Sequence, residues 1–203
     1  MNRTRKYRKG QIILYGGEAT NAVFVVKSGI VRAYSISENG NEVIIALFGA
    51  GDYFPSFHSE HENPIALFYY DVLHEAEIER VPFAEFVSNA TTQPILLQEK
   101  RYIGALLHIS AVVQASADKK IAHTLRYLAV RFKAPMPTKI YTRIDIKLTQ
   151  QNIADICNTS RETTNIELGK LKSAGMITER NKYYSVDLRK LNKRIGEDLS
   201  ISL

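Results

Sequence analysis

Between residues 10 and 82 the chain alternates short apolar runs with turn residues. Residues 22–27 and 30–34 form two such runs separated by Ser28-Gly29, and residues 42–48 form a third after the turn Glu38-Asn39-Gly40-Asn41. Residues 67–73 and 77–81 supply two more, with further turn signals at Gly16-Gly17, Gly49-Ala50-Gly51 and Asn63-Pro64. Strands spaced by about ten residues predict an antiparallel β-sandwich or barrel. Gaps this short leave no room for helical crossovers, which excludes a parallel α/β sheet.

The period changes after Pro94. Over residues 95–115, Ile95, Tyr102, Leu106, Ile109 and Val113 recur at spacings of three, four and seven, with Leu96, Ile103 and Leu107 beside them. This predicts a long amphipathic helix whose apolar face is wide enough for two partners, so Tyr102, Leu106, Ile109 and Val113 are candidates for a homodimer seam. Packing within one chain is the alternative. A second helix is expected from Asp118, as N-cap, through Ile121, Leu125, Leu128 and Phe132, ending at Ala134-Pro135-Met136-Pro137 because proline cannot continue the hydrogen-bond ladder.

Residues 148–171, Leu-Thr-Gln-Gln-Asn-Ile-Ala-Asp-Ile-Cys-Asn-Thr-Ser-Arg-Glu-Thr-Thr-Asn-Ile-Glu-Leu-Gly-Lys-Leu, predict helix, tight turn, helix. Thr149 is a good N-cap for a helix burying Ile153, Ala154 and Ile156. Asn158 stands where the turn needs a left-handed residue, and Ser160 caps a second helix with Thr164, Leu168 and Leu171 inside. Its outer N-terminal face carries Arg161, Glu162 and Asn165. These side chains suit a major groove: Arg donates two bonds to guanine, Glu accepts from the cytosine amine, and Asn pairs with adenine. An ordinary helical hairpin with a solvated face is the bland alternative. Residues 176–180 and 183–186 flank Asn181-Lys182 directly afterwards, as a two-stranded wing with a basic tip would.

Charge sharpens the picture. The 203 residues carry a net +6, but residues 1–117 hold 10 basic and 12 acidic side chains, and residues 118–203 hold 17 and 9. An acidic module followed by a basic one points to an anionic partner for the second. With 45% apolar and 24% charged residues the chain reads as globular. Its one cysteine, Cys157, excludes an internal disulfide, a four-Cys zinc site and a Cys-ligated iron–sulfur cluster. Cys157 itself reads as a small buried residue rather than a redox switch. The basic leader lacks the apolar stretch of a secretory signal and no run is long enough to span a bilayer, so a cytoplasmic protein without a membrane partner is expected.

Taken in order, these motifs resemble the CRP/FNR family of bacterial transcription regulators. The Thr-Gln-Gln…Ile-Ala-Asp…Thr-Ser-Arg-Glu-Thr core of residues 148–177 is similar to that family's winged helix-turn-helix. Lys9-Gly10-Gln11, Gly17, Val25…Ser28-Gly29, the Asn39-Gly40 turn and Gly51-Asp52 are similar to its effector-sensing β-roll. Asp118-Lys119-Lys120-Ile121-Ala122 falls where the family places its hinge. The resemblance implies an α+β fold: an N-terminal antiparallel β-roll, jelly-roll-like, over residues 1–93, a dimerisation helix over 94–117, and a winged helix-turn-helix over 118–203. It implies a homodimeric regulator on a palindromic operator of double-stranded DNA, with RNA polymerase as a further partner if the protein activates. Arg161, Glu162, Asn165 and Ile166 then become base readers, and Thr149, Gln151, Ser160, Thr163 and Lys182 phosphate contacts. Ile166 replaces the family's second base-reading Arg; it can touch a thymine methyl but cannot bond guanine.

The signal is a separate matter. Relatives that bind cyclic nucleotides use a Gly-Glu-Leu and a later Arg-Ser or Arg-Thr, whereas this chain has Pro55-Ser56-Phe57 and Ala66-Leu67. No Lys or Arg lies between Arg32 and Arg80. A buried phosphate without a cation is costly, so cyclic AMP or GMP is not expected. The effector is unknown and no cofactor is predicted; a ligand-independent regulator, or an interaction module with only non-specific DNA affinity, are the alternatives. Phe54, Ser56, Phe57, Leu67 and Tyr69 are candidates to line an apolar pocket, or are simply core. His58 and His61, with Glu60 and Glu62 nearby, are the one metal-like cluster, and a solvated loop explains them better. No nucleophile–base pair or phosphate-binding glycine loop appears, and His74, His108 and His123 are scattered, so an enzyme is not expected.

Overall fold

The computed structural model describes residues 3–40, 42–55, 65–89, 92–135 and 140–196. It divides into two compact units, residues 1–100 and 101–203. In the first, β1 (Thr4–Tyr7), β2 (Ile12–Leu14), β3 (Ala22–Ile36), β4 (Glu42–Phe48), β5 (Tyr53–Phe54) and β6 (Tyr69–Pro82) precede α1 (Phe83–Asn89). All pairs are antiparallel, in the order β1-β6-β3-β4, with β2 on β6 and β5 on β3. The spacing of apolar runs predicts a β-sandwich or barrel of short strands, and the antiparallel roll is the form that the family resemblance implies.

Two pairs of expected short strands turn out to be two long ones. Ser28-Gly29 does not end a strand: β3 runs through it and pairs with β6 on both sides, the register shifting at Val26/Ser28 and Ser28/Ile30. Gly29 has φ +83°, and a Cβ there would stand 2.1 Å from the Glu75 carbonyl oxygen and 2.5 Å from Ala76 Cα. The glycine therefore serves a bulge pressed against the neighbouring strand, where only a residue without a side chain fits. β6 is its long partner, joining the expected runs 67–73 and 77–81. The core between the layers is aromatic: Phe54 is fully buried, its ring 5.6 Å from Phe24, 4.9 Å from Tyr70 and 5.5 Å from Phe48.

The helix α2 (Thr92–Gln114) follows, then α3 (Ala117–Arg131), β7 (Thr142–Arg143), α4 (Gln150–Ile156), α5 (Arg161–Ser173), β8 (Ile177–Arg180), β9 (Tyr183–Val186) and α6 (Leu188–Ile195). The N-cap of α3 is Ser116 rather than Asp118. Asp118 sits in the first turn instead, accepting from the Ser116 hydroxyl at 2.6 Å and from Arg194 at 3.1 Å. That second bond ties α3 to α6, an element the sequence pattern did not reveal. Asp187 caps α6, accepting from the amides of Arg189 and Lys190, and Gly196 closes it at φ +79°. Ile121, Leu125, Leu128, Ile144, Ile153 and Leu191 form the fully buried core of this unit. Among the described residues no helix is long and apolar enough to cross a membrane.

Along α2, Gln98, Ala105, His108 and Val112 are buried within the chain. The opposite side exposes Leu96, Ile103, Leu106, Leu107 and Val113, with Leu106 64% and Val113 74% accessible. Of the expected seam residues, Leu106 and Val113 lie on this open stripe. Tyr102 and Ile109 are half-buried on the flank towards the chain's own contacts. The open stripe is thus rotated towards Ile103 and Leu107, because Ala105, His108 and Val112 occupy the inner face.

Candidate nucleic-acid interface

The helix-turn-helix is built from local signals that the side chains satisfy one by one. Thr149 Oγ1 accepts from the Asn152 amide at 3.1 Å, and Asn152 Oδ1 accepts from the Thr149 amide at 3.0 Å, a reciprocal box that starts α4. Ile153, Ala154 and Ile156 are buried behind it. Asn158 makes the turn at φ +48°, and the Thr159 amide donates back to the Ala154 carbonyl at 3.0 Å. Ser160 then caps α5, its hydroxyl accepting from the Thr163 amide at 3.1 Å and donating to Thr163 Oγ1 at 3.0 Å.

With Thr164, Leu168 and Leu171 sunk into the core, the first two turns of α5 present Arg161, Glu162, Asn165 and Ile166 to solvent. Ile166 is 58% exposed, a large apolar side chain left mostly open to solvent. Gln151 is exposed but its amide donates to Asp155 Oδ1 at 2.7 Å, along its own helix. Gln150, which the sequence did not single out, reaches across to α5: its Nε2 donates to Asn165 Oδ1 at 2.8 Å. Glu167 is also a surprise. It is buried on α5 and pairs with Lys170 at 2.6 Å, which holds a charge that a buried carboxylate needs.

The wing is present. Asn181 and Lys182 turn it with φ +52° and +67°, the geometry of a tight hairpin with both central residues left-handed. Lys182 is exposed at the tip, and its carbonyl accepts from the Leu148 amide at 2.8 Å, tying the wing to the start of the motif. Beside it, Arg143 and Lys147 each approach the Tyr183 ring, 5.2 and 5.8 Å from its centroid. Cys157 is buried, and burial pushes its thiol up to about 12, as fits a packing residue.

Ser56, Phe57, His58 and His61 lie outside the described residues. Phe54, Leu67 and Tyr69 do not come together: Phe54 is core, Leu67 is 77% exposed, and Tyr69 stacks on Tyr34 at 5.4 Å. Phe54 is drawn inward because it pairs with Phe24 on β3 in the middle of the aromatic stack. A cavity of about 470 Å³ opens elsewhere in this unit, between Arg5, Tyr7, Leu14, Thr20, Phe24 and Arg80. Arg32, which begins the cation-free interval, is committed to Asp71 through two bonds of 2.7 and 2.8 Å and to Glu42 at 2.7 Å.

Comparison with known proteins agrees with this geometry. Residues 119–194 match the Crp-like helix-turn-helix domain and residues 4–65 match the cyclic nucleotide-binding domain, together well over half of the chain. The chain belongs to the CRP/FNR family of transcription regulators. It is 26% identical over 196 residues to the regulatory protein HlyX of Actinobacillus pleuropneumoniae, covering 92% of this chain and 79% of that one. It is 23% identical over 195 residues to the fumarate and nitrate reduction regulatory protein of Escherichia coli, covering 92% and 76%. Among solved structures, FixK2 of Bradyrhizobium japonicum superposes with a TM-score of 0.76 at 18% identity, over 98% of both chains. A mutant of CooA from Carboxydothermus hydrogenoformans gives 0.75 at 23% identity, over 95% of this chain and 87% of that one. The fold is therefore that of the CRP/FNR regulators, which are not enzymes, and the C-terminal part is a helix-turn-helix DNA-binding domain.

Proposed function

We propose that two copies of this CRP/FNR regulator pair along the open stripe of α2 and read a palindromic operator with their two α5 helices. The division of labour follows the expected boundaries, with sensing over residues 1–93, pairing over 94–117 and DNA contact over 118–203. The observation that carries the reading is the exposed face of Arg161, Glu162, Asn165 and Ile166 on a helix whose other side is sunk in the core. Arg161 offers guanine two donors, Glu162 accepts from cytosine, and Ile166 offers a thymine methyl a dry surface. Thr149, Gln151, Ser160, Thr163 and Lys182 are assigned to the phosphates, with the α5 N-terminus adding its amides. An activator would also present a surface to RNA polymerase.

The signal on the β-roll is something other than a cyclic nucleotide. The interval that would hold the cyclic phosphate has no Lys or Arg, and Arg32 at its border is already neutralised by Asp71 and Glu42. The same facts favour a second reading, a regulator competent for DNA without any ligand. Fluorescence anisotropy with operator and scrambled duplexes, repeated from 50 to 200 mM salt, tests the main proposal. The account expects a preference of about a thousandfold or more for the operator that persists as salt rises. Equal affinity for both duplexes, vanishing together with salt, would leave only a non-specific module.

A further inference from the structure

The Gln150–Asn165 contact joins residues on different helices of the motif. Gln150 is the first residue of α4, where the Thr149–Asn152 box fixes the start of the helix. Asn165 lies in the second turn of α5, on the same exposed side as Arg161 and Glu162. The two helices pack together, with Ala154 on α4 and Thr164 on α5 both buried, and the amides meet at 2.8 Å with Gln150 Nε2 donating to Asn165 Oδ1.

An amide carries an acceptor oxygen and an NH2 with two donors. A lone asparagine reads adenine with both of its ends at once, accepting from N6 and donating to N7. Here Asn165 Oδ1 is engaged by Gln150, so Asn165 faces outward chiefly with its NH2. Gln150 keeps its own Oε1 as an outward acceptor. Turning both amides over exchanges the partners but leaves the same inventory, one NH2 and one carbonyl oxygen. Two amides end to end are longer than one, and neighbouring base pairs stack about 3.4 Å apart along each strand.

We propose that Gln150 is a specificity-determining residue, forming with Asn165 one composite amide reader that spans two adjacent base pairs of each half-site. The Asn165 NH2 selects an acceptor edge, such as a purine N7 or thymine O4. Gln150 Oε1 selects the exocyclic amine of adenine or cytosine on the next step. Gln151 does not take this role, because its amide is turned along α4 to Asp155. The proposal rests on α5 being the groove-reading helix.

Selection of binding sites from random duplexes, read by sequencing, tests it with the wild-type chain and the variants Q150A, Q150E and N165A. The wild type enriches a motif with two adjacent informative columns outside the bases assigned to Arg161 and Glu162. Q150A erases one of those columns and weakens the other, losing roughly 5- to 150-fold in base discrimination, while the Arg161 and Glu162 columns stay. N165A perturbs the same two columns. Q150E can only accept, so it draws in the Asn165 NH2 and turns Oδ1 outward; the Asn165 column then moves towards the amine-bearing bases adenine and cytosine. A Q150A motif identical to the wild type, with affinity lowered equally on all sequences, would overturn the composite reader and leave the regulator reading intact. A wild-type chain that enriches no motif would remove that reading itself, and the composite reader with it.

Discussion

Acidification should weaken the C-terminal unit through one buried histidine. His108 lies against α3, its Nε2 2.9 Å from Thr124 Oγ1 and its ring stacked 4.5 Å from Tyr127. Burial, assisted by the charge of His123, lowers its pKa from 6.5 to about 4. The unfolded chain takes up a proton below its ordinary value and the folded chain refuses one until much lower pH. The neutral imidazole therefore contributes stability above pH 6.5 that drains away as pH falls towards 4. At about 1.4 kcal/mol per unit, the loss is about 2 kcal/mol by pH 5 and about 3 kcal/mol in full. H108Q keeps a hydrogen-bonding partner for Thr124 and cannot titrate. Urea unfolding followed by ellipticity at pH 7, 6 and 5 should show the wild type losing about 2 kcal/mol more than H108Q. Parallel pH dependences in the two proteins would refute the reasoning.

Other consequences are equally specific. G29A places a Cβ 2.1 Å from the Glu75 carbonyl oxygen and should cost more than about 4 kcal/mol, abolishing the calorimetric transition of the N-terminal unit. G17A, with a similar φ of +85° but nothing within 4 Å, should cost only about 1–2 kcal/mol. L106E combined with V113E puts two charges on the open stripe of α2 and should convert the protein to monomers in sedimentation velocity, with operator affinity falling alongside. Cys157 should resist iodoacetamide at pH 8 in the folded protein and react on unfolding, since its thiol is held at about 12. I166R should add a guanine preference of about 1–3 kcal/mol at one base pair of the selected half-site.

Legibility in the sequence followed the range of the interactions involved. Thr149, Asn158 and Ser160 act on residues within five positions of themselves, so the helix-turn-helix could be written down from them directly. Asn181-Lys182 did the same for the wing. Ser28-Gly29 has the composition of a turn but serves a bulge, because what decides its role is the Glu75–Ala76 backbone on another strand. The α2 stripe was found as a helix face, yet its open side depended on where Ala105, His108 and Val112 meet the rest of their unit. Phe54 could be read as pocket lining or as core, and its partners Phe24 and Tyr70 on other strands decide for the core. Gln150 stood in the Thr-Gln-Gln of the motif without a role of its own, since its partner lies 15 residues away on the next helix. α6 is only eight residues long, too short for a clear apolar period, and it is held by packing on α3 and by the Arg194–Asp118 bond across 76 positions.

Hydroxyl-radical footprinting of the selected operator, with the mass of the same complex measured in solution, tests the central claim most directly. The account predicts two chains per duplex and two symmetric protected patches, their major-groove centres about 34 Å apart, one turn of DNA. One chain per duplex, or a single unsymmetric patch, would contradict it.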